Sequence, residues 1–353
     1  APAAAADDDE VEDVDDDEFC SRDSVSWQEH DLTHLPARRN CAHCQASKQR
    51  RRAAKRVCND EKMKTSSSME VICFDHMAQG DVKELDAGVD GSKFVLVIRD
   101  PHTGFLSSYP ARDKRATTVC SAITDFVGRD AKRVRLLASD NAQEYSKASR
   151  LLRIARRSST PYRPQSNGVQ ERYMGIVGDG TRALLARSGL GVQWWPYAIR
   201  YWRACYNQVI VADGKDSPYL RRHGDAITSL LPFGTAVTFV PRRRNGKFAP
   251  RAQRGLFLGL YLQPGGVLDA SAFIVDIDDV LRVNSSNFRE KVVRTQDYRA
   301  LTAPDATYDF PMLQYNEEMR VKRMMQEEDK KKKKKEDEDE RRRDVDDHEK
   351  KED

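Results

Sequence analysis

Thr160-Pro161-Tyr162-Arg163-Pro164-Gln165-Ser166-Asn167-Gly168-Val169-Gln170-Glu171-Arg172 is a turn-rich loop running into a helix. Pro161, Pro164 and Gly168 forbid regular helix before Val169, because a proline has no N–H to give and its ring collides with the preceding turn. Ser166 or Asn167 can cap the helix that begins there. Val169, Tyr173, Ile176 or Val177, and Leu184 then recur at helical spacing as a buried stripe, with Glu171, Gly175, Asp179 and Arg182 on the opposite face. Glu171 thus stands in the first turn, where the helix dipole favours a carboxylate. Alone, it reads as an ordinary surface glutamate.

Upstream, two other acids each close a β-like run. Val71-Ile72-Cys73-Phe74 ends at Asp75, and Val134-Arg135-Leu136-Leu137-Ala138 ends at Ser139-Asp140-Asn141. Between them, Phe94–Ile98 is a buried-strand signal and Asp100-Pro101-His102-Thr103-Gly104 is a turn. Phe105 to Tyr109 reads as a third strand, which completes an antiparallel meander. Val119, Ile123, Phe126 and Val127 have helical spacing, so the strand before Asp140 is reached through a helix and is expected to run parallel to an earlier one. The order β-β-β-α-β predicts a mixed α/β fold. Residues 147–157 interleave Lys147, Arg150, Arg153, Arg156 and Arg157 with Leu151, Leu152 and Ile154, the pattern of a basic amphipathic helix near Asp140. Trp194-Trp195-Pro196 opens another helix, whose Ile199, Trp202, Ala204, Cys205 and Tyr206 are expected to pack the core.

After Leu231-Pro232 the period turns strand-like, in Val237–Val240, Gly255–Gly259, Phe273–Val275 and Val280–Val283. These predict a small separate β-barrel-like domain. The expected division is an acidic disordered tail (1–26), a His/Cys segment with a basic linker (27–64), an α/β core (65–230), the β-rich unit (231–300) and a charged low-complexity tail (301–353).

Charge is segregated along the chain. The net is +4, yet residues 7–18 hold ten acids and no base, and from Glu317 onward there are 16 acids against 14 bases. The body between them is therefore about +16, which favours a polyanionic partner such as nucleic acid. Lys48 to Arg56 and Pro241 to Arg254, the latter with Arg242, Arg243 and Arg244, are candidate phosphate-contacting stretches. Seven cysteines with no signal-like segment before them predict reduced thiols and an intracellular setting. No apolar run approaches the ~18 residues of a membrane span. A first residue of Ala1 predicts a piece of something longer.

His30 and His34 share a helical face, and Cys41 and Cys44 form a knuckle that can chelate. Together they read either as a closed His₂Cys₂ zinc set, in which His43 could also replace His30, or as a reduced-thiol loop with incidental histidines. Mg²⁺ or Mn²⁺ instead takes oxygen donors, and three converging carboxylates such as Asp75, Asp140 and Glu171 would bind such ions avidly.

Phe74-Asp75, Lys93 to Pro101, Ser139-Asp140-Asn141-Ala142-Gln143-Glu144-Tyr145 and the opening stretch together resemble the catalytic core of retroviral and retrotransposon integrases. The opening stretch is the most specific of the four. The His/Cys segment resembles the pre-integrase zinc region. Ser217-Pro218-Tyr219 and Arg254-Gly255-Leu256-Phe257-Leu258-Gly259 resemble the post-core region of copia-type elements. The resemblance spans roughly residues 30–295. It implies a ribonuclease-H-like core and metal-dependent trimming and joining of element DNA 3′ ends, in the nucleus, by a homo-oligomer. It also implies that Asp75, Asp140 and Glu171 carry Mg²⁺ or Mn²⁺, that Asn141, Gln165 and Asn167 orient water or DNA, and that Arg163, Arg153, Arg157 and Lys147 contact DNA. Only residues 141–170 separate Asp140 from Glu171, fewer than is usual in that family, which predicts a lost strand or helical turn between them. Two other readings stay open: a catalytically inactive DNA-binding remnant, and a related ribonuclease-H-like nuclease.

Overall fold

The computed structural model describes residues 26–35, 37–38, 40–48, 67–78, 87–158, 168–209, 216–225, 230–241, 248, 250–282, 291–302 and 307–349. The acidic N-terminal run, most of the basic arm, Arg163, Gln165, Asn167, Arg242, Arg243 and Arg244 lie outside the described residues.

Two short helices come first, α1 (Trp27–Thr33) and α2 (Ala42–Lys48). Ser26 and Glu29 form a reciprocal capping box that fixes where α1 starts. The core comes next as β1 (Val71–Ala78), β2 (Phe94–Arg99), β3 (Leu106–Ala111), α3 (Ala116–Val127), β4 (Leu136–Ser139), α4 (Gln143–Leu152), β5 (Ala155–Ser158), α5 (Gly168–Ser188) and α6 (Trp195–Val209). Its sheet has the order β3-β2-β1-β4-β5. The first three strands are antiparallel, and β4 and β5 run parallel to β1. This is the ribonuclease-H-like arrangement, a mixed five-stranded sheet with helices on both faces.

Alternation in β1 assigns the two faces. Ile72 and Phe74 are buried with Val119, Ile123 and Phe126 of α3 and Tyr145 of α4. Met77 packs on the other cluster, with Val177 of α5 and Trp202 of α6. Asp75, two residues before Met77, lies on the α5 face.

Three local expectations are corrected. First, β1 does not close at Asp75: it continues to Ala78, paired with β2 all the way, while its pairing with β4 stops at Cys73. Second, the basic amphipathic helix over 147–157 is two elements. Helix α4 ends at Leu152, Arg153 turns in the left-handed region at φ 55°, and Ala155–Ser158 becomes a strand beside β4. The free edge of β4 satisfies the backbone groups of that segment, which outweighs its helical apolar spacing. The described part of the interval between Asp140 and Glu171 thus holds one helix and one strand. Third, Asp179 is buried rather than on an open face of α5, because α2 covers that side. Its carboxylate pairs with Arg182, whose Nε also donates to the Ser47 carbonyl at 3.3 Å.

Helix α7 (Pro218–His223) leads to a second five-stranded sheet. Its strands are β6 (Ala236–Phe239), β7 (Gln253–Gln263), β8 (Val267–Asp276), β9 (Val293–Thr295) and β10 (Tyr298–Ala300), in the order β10-β6-β7-β8-β9. Val280-Leu281-Arg282, expected as strand, is the end of a short helix α8 (Ile277–Arg282). The Asp276 carboxylate accepts from the Asp278 N–H at 2.8 Å and starts the turn, with two acids favourably placed at its positive end. The sheet does not stand apart. Val237, Leu256, Phe257 and Ile274 share one apolar cluster with α5 and α6, and Tyr201 meets the Phe257 ring edge-on at 5.1 Å. A long charged helix α9 (Pro311–Glu349) closes the described chain and buries Met312. No described helix is long and apolar enough to cross a membrane.

The aromatic residues of α6 fill the core as their spacing indicates, Tyr201 and Trp202 being fully enclosed, as is Trp194 just before the helix. Asn207, on the same helix, does something the spacing does not reveal. Its side-chain amide accepts from the Leu106 N–H at 3.0 Å and donates to the Leu106 carbonyl at 2.8 Å, taking the place of a neighbouring strand at the β3 edge.

This packing has two measurable consequences. Gly180 of α5 lies flat against the Trp202 indole, where a Cβ would collide with the ring. Alanine ordinarily improves a helix by about 1 kcal/mol. Here Gly180→Ala is expected to destabilise instead, by roughly 1–3 kcal/mol net of overpacking, read from urea unfolding. His223 packs on Tyr219 and Phe105, and burial, then the neighbouring Arg222, lowers its pKa to about 4. The unfolded chain takes up that proton near 6.5. The histidine's contribution is thus present above pH 6.5 and is lost as pH falls toward 4. An NMR titration of His223 with a midpoint near 6.5 would contradict this.

Candidate active site and metal centre

The parallel register of β1 and β4 builds the acidic edge. Val71 faces Leu136, Ile72 faces Leu137 and Cys73 faces Ala138. The pairing itself ends there; Asp75, two residues on, keeps the α5 face, and it and Asp140 both act on the Tyr145 phenol. Glu171 lies exposed in the first turn of α5, over that face. Its neighbour Gln170 is buried and donates through Nε2 to the Val97 carbonyl at 3.4 Å, and Val97 is the β2 partner of Asp75. Gln170 thus ties the start of the helix to the strand pair that holds Asp75. The three acids do not gather as closely as a preformed cage: among the described residues, the group whose ligand atoms all lie within 4.8 Å is a different one.

Neighbouring groups fix the two aspartates. The His76 N–H donates to Asp75 Oδ1 at 2.7 Å, and the Tyr145 hydroxyl lies 3.3 Å from the same oxygen and 2.7 Å from His76 Nδ1. Burial, then the Asp75 and Asp140 carboxylates, push the Tyr145 phenol well up, so it stays a donor. Burial and Lys114 lower His76 to about 4, which keeps the imidazole neutral. On the other side Arg156 donates to the Asp140 carbonyl at 2.6 Å and to Asn141 Oδ1 at 3.3 Å. Arg157 pairs in register with Ala138, hence shares the face of Cys73 and Asp75, and it is exposed, as are Lys147, Arg153 and Asn141. Tyr145, His76, Arg156 and Gln170 were not singled out by sequence. For Tyr145 the signal was its place five residues after Asp140, one helical turn back over the strand end.

Among the described residues, His30, His34, Cys41 and Cys44, all buried, bring their ligand atoms within 4.8 Å of one another. Cys41 Sγ lies 3.5 Å from His34 Nδ1, and Cys44 Sγ lies 3.5 Å from His30 Nε2 and 3.7 Å from His34 Nδ1. Bond lengths to tetrahedral zinc put neighbouring nitrogen and sulfur donors ~3.6 Å apart, so the set fits Zn²⁺ by donor chemistry and by size. His43 is half-buried, outside the set, and burial lowers its pKa. The knuckle is seated on the core. Trp202 Nε1 donates to the Thr33 carbonyl at 3.0 Å, Arg187 pairs with Asp31 at 3.2 Å, and Leu32 joins the cluster under α5 and α6.

The strand order and the helices on both faces give the chain a ribonuclease-H-like fold. No family model matches the chain. It is 29% identical over 119 residues to the Gag-Pol polyprotein of Koala retrovirus, a match covering 32% of this chain and 7% of that polyprotein. Among solved structures, it is similar to the catalytic core domain of BIV integrase, with a TM-score of 0.33 and 20% identity, over 43% of this chain and 91% of that one. It is also similar to the HTLV-2 integrase catalytic core in complex with magnesium in its trimeric form (TM-score 0.34, 16% identity, 44% and 97% covered). A chain of the simian T-cell lymphotropic virus intasome is similar as well (TM-score 0.36, 14% identity, 67% and 80% covered).

Seating the His/Cys set on Trp202 has a measurable consequence. Adding Zn²⁺ to metal-stripped protein is expected to raise its thermal midpoint and shift the tryptophan emission to shorter wavelength, and Cys44→Ser is expected to abolish both changes. Zinc binding without a response from tryptophan would contradict the seating.

Proposed function

We propose that this chain is the integrase segment of a retrotransposon-type Pol polyprotein, of the copia kind. In this reading it is a polynucleotidyl transferase that trims element DNA and joins its 3′ ends to target DNA in the nucleus. The observation that carries the reading is the parallel β1–β4 pair of Cys73 with Ala138, from which Asp75 and Asp140 each stand two residues on, together with Glu171 in the first turn of α5. Divalent Mg²⁺ or Mn²⁺ held there supplies activation of an attacking oxygen and neutralisation of the leaving one. The chain's own part is orientation. Asp75 and Asp140 are fixed from both sides by Tyr145, the His76 backbone and Arg156, and Glu171 approaches from α5. Arg157, with exposed Lys147 and Arg153 nearby in sequence, offers positive charge to a phosphate backbone. Zn²⁺ in the His/Cys set holds the N-terminal helices on α5 and α6. Joining two element ends calls for more than one copy, so the working form in this reading is a homo-oligomer.

The spacing of the acids favours a second reading. Because the ligand atoms of Asp75, Asp140 and Glu171 do not all lie within 4.8 Å of one another, a DNA-binding remnant that has lost its chemistry is the alternative.

Strand transfer by the full chain separates the two. Wild type is expected to join a short duplex end to plasmid DNA in Mn²⁺ or Mg²⁺, and Glu171→Gln is expected to reduce joining by about 10²-fold or more while DNA binding persists. Steeply salt-dependent DNA binding with no joining by wild type would establish the remnant. Joining that survives Glu171→Gln would remove Glu171 from the site.

A further inference from the structure

The geometry points to Tyr145 as a positioning residue for Asp75: its hydroxyl, shared with the His76 imidazole, holds that carboxylate in the orientation that receives a divalent cation. The inference rests on the reading of Asp75 as a cation-holding residue, and adds to it a group on α4, from the opposite face of the sheet. Three observations converge. The hydroxyl is 3.3 Å from Asp75 Oδ1, 2.7 Å from His76 Nδ1 and 2.8 Å from the His76 backbone nitrogen. The Tyr145 ring is itself immobile, since it is 1% exposed, meets Phe74 edge-on at 5.0 Å and stacks on His76 at an interplanar angle of 15°. The phenol also senses both carboxylates, Asp75 and Asp140.

A buried polar atom needs a partner, and a phenol has one proton to give. That proton can go to Asp75 Oδ1 or to His76 Nδ1. When His76 Nδ1 carries its own proton, the phenol's goes to Asp75 Oδ1, where the His76 N–H also donates at 2.7 Å, and the two donors set the plane of the carboxyl group. A carboxylate offers about four lone-pair sites, so this leaves acceptor capacity for a cation. Groups behind a metal ligand commonly change affinity 10- to 100-fold when removed.

The test uses the full chain with its zinc, and Mn²⁺ as the probe, free Mn²⁺ being counted by electron paramagnetic resonance. The sites that matter are those lost in Asp75→Asn, which removes the contribution of the acidic tail. Tyr145→Phe keeps the ring and its packing. It is expected to weaken Mn²⁺ at the Asp75-dependent site by about tenfold, with a thermal midpoint within a few degrees of wild type. Wild-type Mn²⁺ affinity in Tyr145→Phe, with binding still lost in Asp75→Asn, would overturn the positioning role and leave the acidic site standing. A lowered midpoint with unchanged affinity would likewise make the hydroxyl merely structural. Mn²⁺ binding that Asp75→Asn does not alter would overturn the site and the positioning role together.

Discussion

The parallel pairing of β1 with β4 is the constraint on which the rest depends. Its register decides which residues of two strands, far apart in sequence, stand side by side, and a slip of one position would send Asp140 to the other face of the sheet. Every other device at the acidic edge assumes that register. Arg156 reaches the Asp140 carbonyl because β5 continues the parallel run, and Tyr145 reaches Asp75 because α4 turns back directly after β4. Gln170 finds the Val97 carbonyl because β2 pairs Val97 with Asp75.

Apolar composition secures the register from both sides. Ile72 and Phe74 insert among α3 and α4, while Met77 faces α5 and α6. Burial of both faces makes a slipped alignment costly, since it would bring Asp75 into the aromatic layer under α3. Asp75 remains at the boundary because β4 has already ended there, leaving one side of the strand to polar neighbours.

Much of this was legible in the chain. The apolar runs before Asp75 and Asp140, the helical spacing of α3 and α6, and the proline-rich entry to α5 each carry a local signal, and so does His30-x-x-x-His34 with Cys41-x-x-Cys44. What could not be read depends on partners remote in sequence. Arg153 to Ser158 has helix-like apolar spacing, and only the open edge of β4 makes it a strand. Asp179 looks exposed on a helical wheel until α2 arrives over it. Val280 to Arg282 is β-prone by composition, and the carboxylate of Asp276 starts a helix there. Tyr145 signals itself only by its distance from Asp140, and His76 carries no pattern at all, because their role exists only once two strands and a helix have met.

The amide of Asn207 on Leu106 bears on how copies of this protein can meet. A sheet edge with free N–H and C=O groups is a template for another strand, and open edges promote fibre-like growth. At β3 Asn207 already occupies that template. At the opposite edge, β5 carries Arg156 and Arg157 side by side, so two such strands approaching each other would bring like charges together. Both ends of the first sheet therefore oppose extension by strand addition.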